Sequence, residues 1–305
     1  MLQYLLISIL TCLCVILGVA YYTVLERKVL SYGQTRKGPN KAGIAGLAQP
    51  LADALKLFIK ENVMPYGSNV YIFTLAPALS LTLGLVLWHL YPSSFSHKYV
   101  CWGMLLFFCV TALNVYGTML AGWASNSKYA FLGALRAAAQ TISYEVSMLL
   151  LLLFPAFLLL TCSWDDAMRN SFPVVILLLP LGAVWFTSTV AETNRAPFDF
   201  AEGESEIVSG FNIEFSGALF AMIFLAEYAS ILFMSMATSI WFLSSGVFSP
   251  IVITLQILLI SIGFLLVRGA YPRYRYDLLM MLCWKSFLPF SLAGLCLILM
   301  MGLHF

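Results

Sequence analysis

Apolar residues along this chain come in long unbroken blocks rather than in alternation. Eight blocks, at about 2–26, 69–91, 99–123, 136–161, 172–192, 213–242, 250–270 and 284–304, hold the roughly 20 apolar residues that a helix needs to cross a bilayer core. Lipid offers no hydrogen bonds to a bare backbone, so each block is expected to be a helix. One further segment has another period. From Pro50 to Glu61, Leu51, Leu55, Phe58 and Ile59 fall at i, i+4, i+7 and i+8, with Asp53, Lys56 and Lys60 opposite. Pro50 suits a first helical turn, and the segment is too short to span, so it is expected to lie in the interface plane. The expectation is an all-α polytopic membrane protein with eight transmembrane helices plus an interfacial amphipathic helix, as a single integral membrane domain over residues 1–305.

Composition agrees: 61% hydrophobic and 10% charged residues, with mean hydropathy +0.91, exclude a soluble globular chain. The first block has no basic lead and no small-residue cleavage pattern and outruns a signal peptide's apolar core, so it reads as a retained helix. Seven cysteines lie mostly inside apolar blocks without a CxxC pair, and His89, His97 and His304 stand near helix ends at no ligand spacing. Free thiols, and no cofactor or metal bound by this chain's own residues, are expected.

Charge orients the blocks. Fourteen of the sixteen Lys and Arg fall in the first, third, fifth and seventh connections, leaving Lys98 and Arg169 on the other side. The odd connections should face a bacterial cytoplasm or a mitochondrial matrix. The same face holds the densest acid. Ala191 to Glu206, AETNRAPFDFAEGESE, carries Glu192, Asp199, Glu202, Glu204 and Glu206 with Arg195 as its one cation. Pro197 biases Ala196 away from helix, so the fifth block should end before it. The following IVSGFNIEF is apolar enough to re-enter the protein. In an extended chain Glu202, Glu204 and Glu206 would share one side.

Glu145 and Glu227 lie deep within apolar blocks, where an ionisable residue points to an ion path, a proton relay or a ligand contact. The plainer alternative is a protonated glutamic acid hydrogen-bonded locally, with Tyr144 and Tyr228 next in sequence. A second basic cluster, Arg268 to Asp277, interleaves arginine with tyrosine; the arginines suit an anionic loop or partner, the tyrosines an aromatic belt. On the residues alone a proton or cation transporter also accommodates intramembrane acids. No inverted repeat is visible, however, and the acids gather toward one face.

The strings LERKVLSYGQTRKGPNKAG (Leu25 to Gly43), ADALKLFIKE (Ala52 to Glu61), GWASNSKYAFLGALRAAAQTISYEV (Gly122 to Val146), AETNRAPFDFAEGESEIVSGFNIE (Ala191 to Glu214) and RGAYPRYRYDLLMMLCWKSFLP (Arg268 to Pro289) closely resemble the family of membrane subunit 1 of mitochondrial NADH:ubiquinone oxidoreductase, respiratory complex I. The resemblance runs the length of the chain.

It implies a core subunit of the mitochondrial inner membrane, multi-pass, with long loops facing the matrix. That subunit forms much of the ubiquinone chamber and couples quinone reduction to proton translocation. Implied for the chamber and its mouth are Arg27, Asp53, Phe198, Asp199, Glu202, Glu204, Arg268 and Arg273. Implied for the carboxyl relay are Glu26, Glu145, Glu192, Arg195, Glu206 and Glu227. Ubiquinone would be the substrate, while FMN, NADH and iron-sulfur clusters belong to partner subunits, so the chain alone is not expected to be active. Partners would be peripheral-arm quinone-site subunits, neighbouring membrane-arm subunits and membrane lipids, with no nucleic acid. The homologous subunit of a membrane-bound hydrogenase would carry a similar scaffold. One departure stands out: similar proteins carry a lysine in the seventh block where this chain has Gln256.

Overall fold

The first block begins a helix, α1 (Leu2–Gly33), that continues seven residues past the end of its apolar stretch. At about 1.5 Å per residue it is longer than the roughly 30 Å hydrocarbon core, so its charged end, Glu26 to Ser31, projects beyond it. The structure, a computed structural model, describes residues 2–92, 100–169, 173–177, 179–200, 210–243 and 250–302. Glu202, Glu204, Glu206, His97 and His304 lie outside the described residues.

After α1 come α2 (Gln49–Ile59), α3 (Val70–Leu87), α4 (Gly103–Ala124), α5 (Lys128–Leu159), the short α6 (Trp164–Arg169) and α7 (Leu179–Glu192). They are followed by α8 (Gly217–Phe242), α9 (Pro250–Ala270), α10 (Tyr276–Leu282) and α11 (Leu288–Gly302), and the described residues include no strand. Seven described helices are long and apolar enough to cross a membrane. The chain is an all-α polytopic membrane protein, as the block pattern predicts.

The departures have local causes. Within the fifth block, α7 is 14 residues long, about 21 Å and short of a full crossing. A separate 3-10 turn over Val174–Ile176 precedes it, and Pro173 and Pro180 cannot donate to a continuous ladder. The fourth block's helix starts at Lys128, which places Arg136 inside α5 rather than in the loop before it. The last block's helix starts early, at Tyr276, and passes through a π turn over Cys283–Phe287. Pro289 cannot return a bond to the Lys285 carbonyl, and the widened turn absorbs that break.

Helix α2 matches its expectation. Proline stands at its start, Lys60 ends it in an extended conformation, and Leu51, Leu55, Phe58 and Ile59 all stay exposed on one side. An apolar face of that kind, without protein against it, suits the membrane interface.

Helices α5 and α8 form the centre. α8 touches α1, α2, α3, α6, α7 and α9 as well as α5. Close approaches use small residues, as membrane helices generally do: a Cβ on Gly122 would collide with Ala134, and one on Gly117 would press on Ser80. The segment after the acidic run does re-enter. Gly210–Asn212 form a buried turn, Gly210 (φ 59°) sits against Gly133, and Phe215 stacks on Phe73 at 4.1 Å. Gln256 donates from Nε2 to the Leu243 carbonyl at 3.2 Å, tying α9 to the end of α8 with a neutral amide.

Candidate functional site

Two ion pairs meet where α1, α8, α9 and the turn after α7 converge. Glu26, 5% exposed near the end of α1, pairs through Oε1 with Arg268 of α9 and accepts the Tyr228 hydroxyl on Oε2 at 2.5 Å. Arg195, just past α7, lies over the Tyr228 ring at 4.3 Å, and its Nη2 is 4.0 Å from Glu227 Oε2. A cation on one oxygen and a hydroxyl on the other offset the cost of burying this acid. Tyr22 of α1 packs edge-on against Tyr228 and donates to the Ser261 carbonyl, closing the side toward α9.

Glu227 opens onto a cavity of about 50 Å³ that is also lined by Glu192, Thr193, Asn194, Asn114 and Ser230. A second, of about 20 Å³, shares Glu192, Thr193, Asn114 and Ser230 and reaches Thr111 and Met234. Thr111 in turn donates toward Glu145 Oε1 at 3.4 Å, which brings Glu145 to the edge of the second cavity. Glu192 Oε2 and Asn194 Oδ1 are buried and have no hydrogen-bond partner among the described residues. Polar cavities of this size hold one to a few water molecules, which would satisfy such groups. The acids therefore run in the order Glu26, Glu227, Glu192, Glu145, with Tyr228 and Arg195 bridging the first step and small polar cavities the others.

The hydroxyls of the tyrosines adjacent in sequence to the membrane acids donate elsewhere. Tyr144 donates to the Leu279 carbonyl and Tyr228 to Glu26. Successive helical residues point about 100° apart, so an adjacent side chain faces elsewhere.

A second group of contacts fastens the start of the acidic run to the Arg268–Asp277 cluster. Arg273 pairs with Asp199 at 3.1 Å, the Tyr274 amide donates to the Pro197 carbonyl, and Tyr274 and Tyr276 pack on Phe198 and Phe200. Phe198 is buried between Tyr144 and Tyr274. From below, Gln140 of α5 donates from Nε2 to the carbonyls of both Ala191 and Phe198 at 2.8 Å. Arg27 stands apart: it pairs with Asp53 of α2 at 2.7 Å, and Gln49 holds the other Asp53 oxygen. Among the described residues no group of three or more His, Cys, Asp or Glu is placed to hold a metal.

A family model described as NADH dehydrogenase matches residues 6–299. The chain belongs to the NADH dehydrogenase family. It is similar to proteins named NADH-ubiquinone oxidoreductase chain 1: 53% identical to that of Aedes aegypti over 287 residues, covering 93% of this chain and 91% of the relative. It is 52% identical to that of Heterololigo bleekeri over 298 residues, covering 96% and 95%. With that of Branchiostoma lanceolatum the identity is 49% over 287 residues, covering 93% and 91%.

Within this NADH dehydrogenase family member, several residues at the site escape the sequence reading. Gln140, Asn114, Thr111 and Ser230 are single polar residues in apolar helices, and one uncharged residue carries no motif. Their signal is weak but physical: each is a polar group in a helix interior that must find a partner.

Proposed function

We propose that this chain is the core membrane subunit of a proton-translocating NADH–ubiquinone oxidoreductase, complex I, in the mitochondrial inner membrane, with its long loops facing the matrix. It acts as one integral membrane unit with partner subunits that hold FMN and the iron-sulfur clusters and bring NADH oxidation to it. It forms part of the ubiquinone chamber and passes the redox event to intramembrane carboxyls.

The observation that carries this reading is the succession of acids from Glu26 through Glu227 and Glu192 to Glu145. It starts at a basic and acidic surface and ends inside a membrane helix. Arg268, at the starting end, and Arg27, Asp53, Phe198, Asp199 and Arg273, in the two neighbouring groups of contacts, are assigned to the place where a quinone headgroup and its partners would meet the chain. Glu202, Glu204 and Glu206 continue the same acidic run in sequence and are assigned the same redox-sensing task. A change of charge near Arg268 or Asp199 shifts the field on Glu227, and proton affinity follows the field down the series.

Replacing Glu192 or Glu227 by Gln in the assembled complex tests this. Quinone-dependent NADH oxidation and its proton translocation should fall, while NADH oxidation by ferricyanide, which needs only the redox partners, should persist. The same outcome is expected for Glu202→Gln and Glu204→Gln. Normal proton-coupled turnover in the Glu192 and Glu227 variants would overturn the proposal.

A further inference from the structure

Tyr228 touches both ion pairs at once. Its hydroxyl donates to Glu26 Oε2 at 2.5 Å, while the other oxygen of that carboxylate meets Arg268. Its ring lies beneath the Arg195 guanidinium at 4.3 Å, and the same guanidinium faces Glu227. The side chain is buried and held by the rings of Tyr22 and Phe224, each 5.9 Å away. In so close a packing the hydroxyl end cannot shift without moving the ring. A phenol suits such a position because its edge carries a donor and its face attracts a cation.

We infer that Tyr228 is a positioning residue that couples the Glu26–Arg268 pair, on α1 and α9, to the Arg195–Glu227 pair at the mouth of the larger cavity. This rests on the relay reading above and adds the part that joins its first two acids. The contacts from Glu26 to Glu227 pass through one aromatic ring and one guanidinium. A group that draws Arg268 away leaves Glu26 leaning on the Tyr228 hydroxyl. The ring follows, and Arg195 moves with respect to Glu227. Traffic in the opposite direction is equally coupled, since linkage is reciprocal.

The two ends of the side chain can be separated in the assembled complex. Tyr228→Phe keeps the ring under Arg195 and removes the bond to Glu26; Tyr228→Leu removes both. With a short-chain ubiquinone analogue as substrate, Tyr228→Phe should raise KM about threefold or more, with a smaller change in kcat. Tyr228→Leu should also lower kcat by about fivefold or more, which marks loss of an interaction used during turnover rather than in binding alone. Assembly is followed by ferricyanide-dependent NADH oxidation in the same preparations. An unchanged KM in Tyr228→Phe overturns the inference, and so does an identical pattern in the two variants. Should Tyr228→Leu fail to assemble, the near-isosteric Phe variant decides alone. Glu227→Gln separates the levels: normal turnover there overturns the relay itself, whereas an impaired Glu227→Gln beside unaffected Tyr228 variants overturns only the coupling through Tyr228.

Discussion

Asn62 reaches across from the connection after α2 to cap the first turn of α8, accepting the Ala218 amide on Oδ1 at 3.0 Å, and it presses directly on Gly217. A Cβ at Gly217 would lie 2.4 Å from that oxygen, and the residue's φ of 58° is left-handed. The end of the interfacial helix is thereby tied to the start of the helix that carries Glu227. Gly217→Ala should cost about 1–2 kcal/mol from the backbone alone, before the collision is counted. A lowered midpoint for thermal dissociation of the solubilised complex checks it; an unchanged midpoint would contradict the cost assigned to the left-handed backbone.

Arg268 and Arg27 both pair with acids, but at different depths, and should differ in worth. Arg268→Ala leaves Glu26 buried with its cation gone, a loss of about 3–5 kcal/mol. Adding Glu26→Gln should recover much of it. The Arg27–Asp53 pair is exposed, and Asp53→Asn should change stability by less than about 1 kcal/mol. Chemical denaturation of the three variants against the parent gives the comparison, and equal losses at the two sites would contradict it.

Gln140 holds the base of the turn from Glu192 to Phe198 by two bonds to carbonyls. Gln140→Leu removes one of the two bonds at each carbonyl, leaving Ala191 with the Asn194 amide and Phe198 with the Phe200 amide, at about 1 kcal/mol each. Hydrogen–deuterium exchange at Arg195 and Phe198, whose amides close that turn, should quicken, with little change in the middle of α5. Unaltered exchange would mean that the turn is held by its clasp to Tyr274 alone.

Asn114 lines both cavities between Glu227 and Glu145. Asn114→Leu should fill polar space with hydrocarbon and cut quinone-dependent proton translocation several-fold. Ferricyanide reduction serves as the control for assembly. Full translocation in that variant would mean that protons do not use this gap.

Block length revealed the helices because a membrane helix must be apolar throughout, and the period of Pro50 to Glu61 revealed α2 because a helix on the interface must be apolar on one side. The shortness of α7 was less legible: hydropathy counts residues and is blind to a ladder interrupted at Pro173 and Pro180. Charge made Glu145, Glu192 and Glu227 visible as candidates, since an acid in an apolar segment stands out whatever its partners. Their connections were not visible. Glu26 and Tyr228 are 202 residues apart, and nothing in either local sequence says which helices will become neighbours. Tyrosine adjacency misdirected for the same reason: chain neighbours on a helix diverge, and it is packing that brings groups together.

The pairing of Glu26 with Arg268 also orders biogenesis in time. The partners are 242 residues apart, so at about 5–20 residues per second the acid emerges tens of seconds before its cation. Throughout that interval the first helix must keep its carboxylate in the aqueous headgroup zone, with α9 not yet complete. Closure of α9 against α1 is therefore among the last steps of maturation, and a chain stopped before Arg268 would present an uncompensated acid to whatever quality control patrols the membrane.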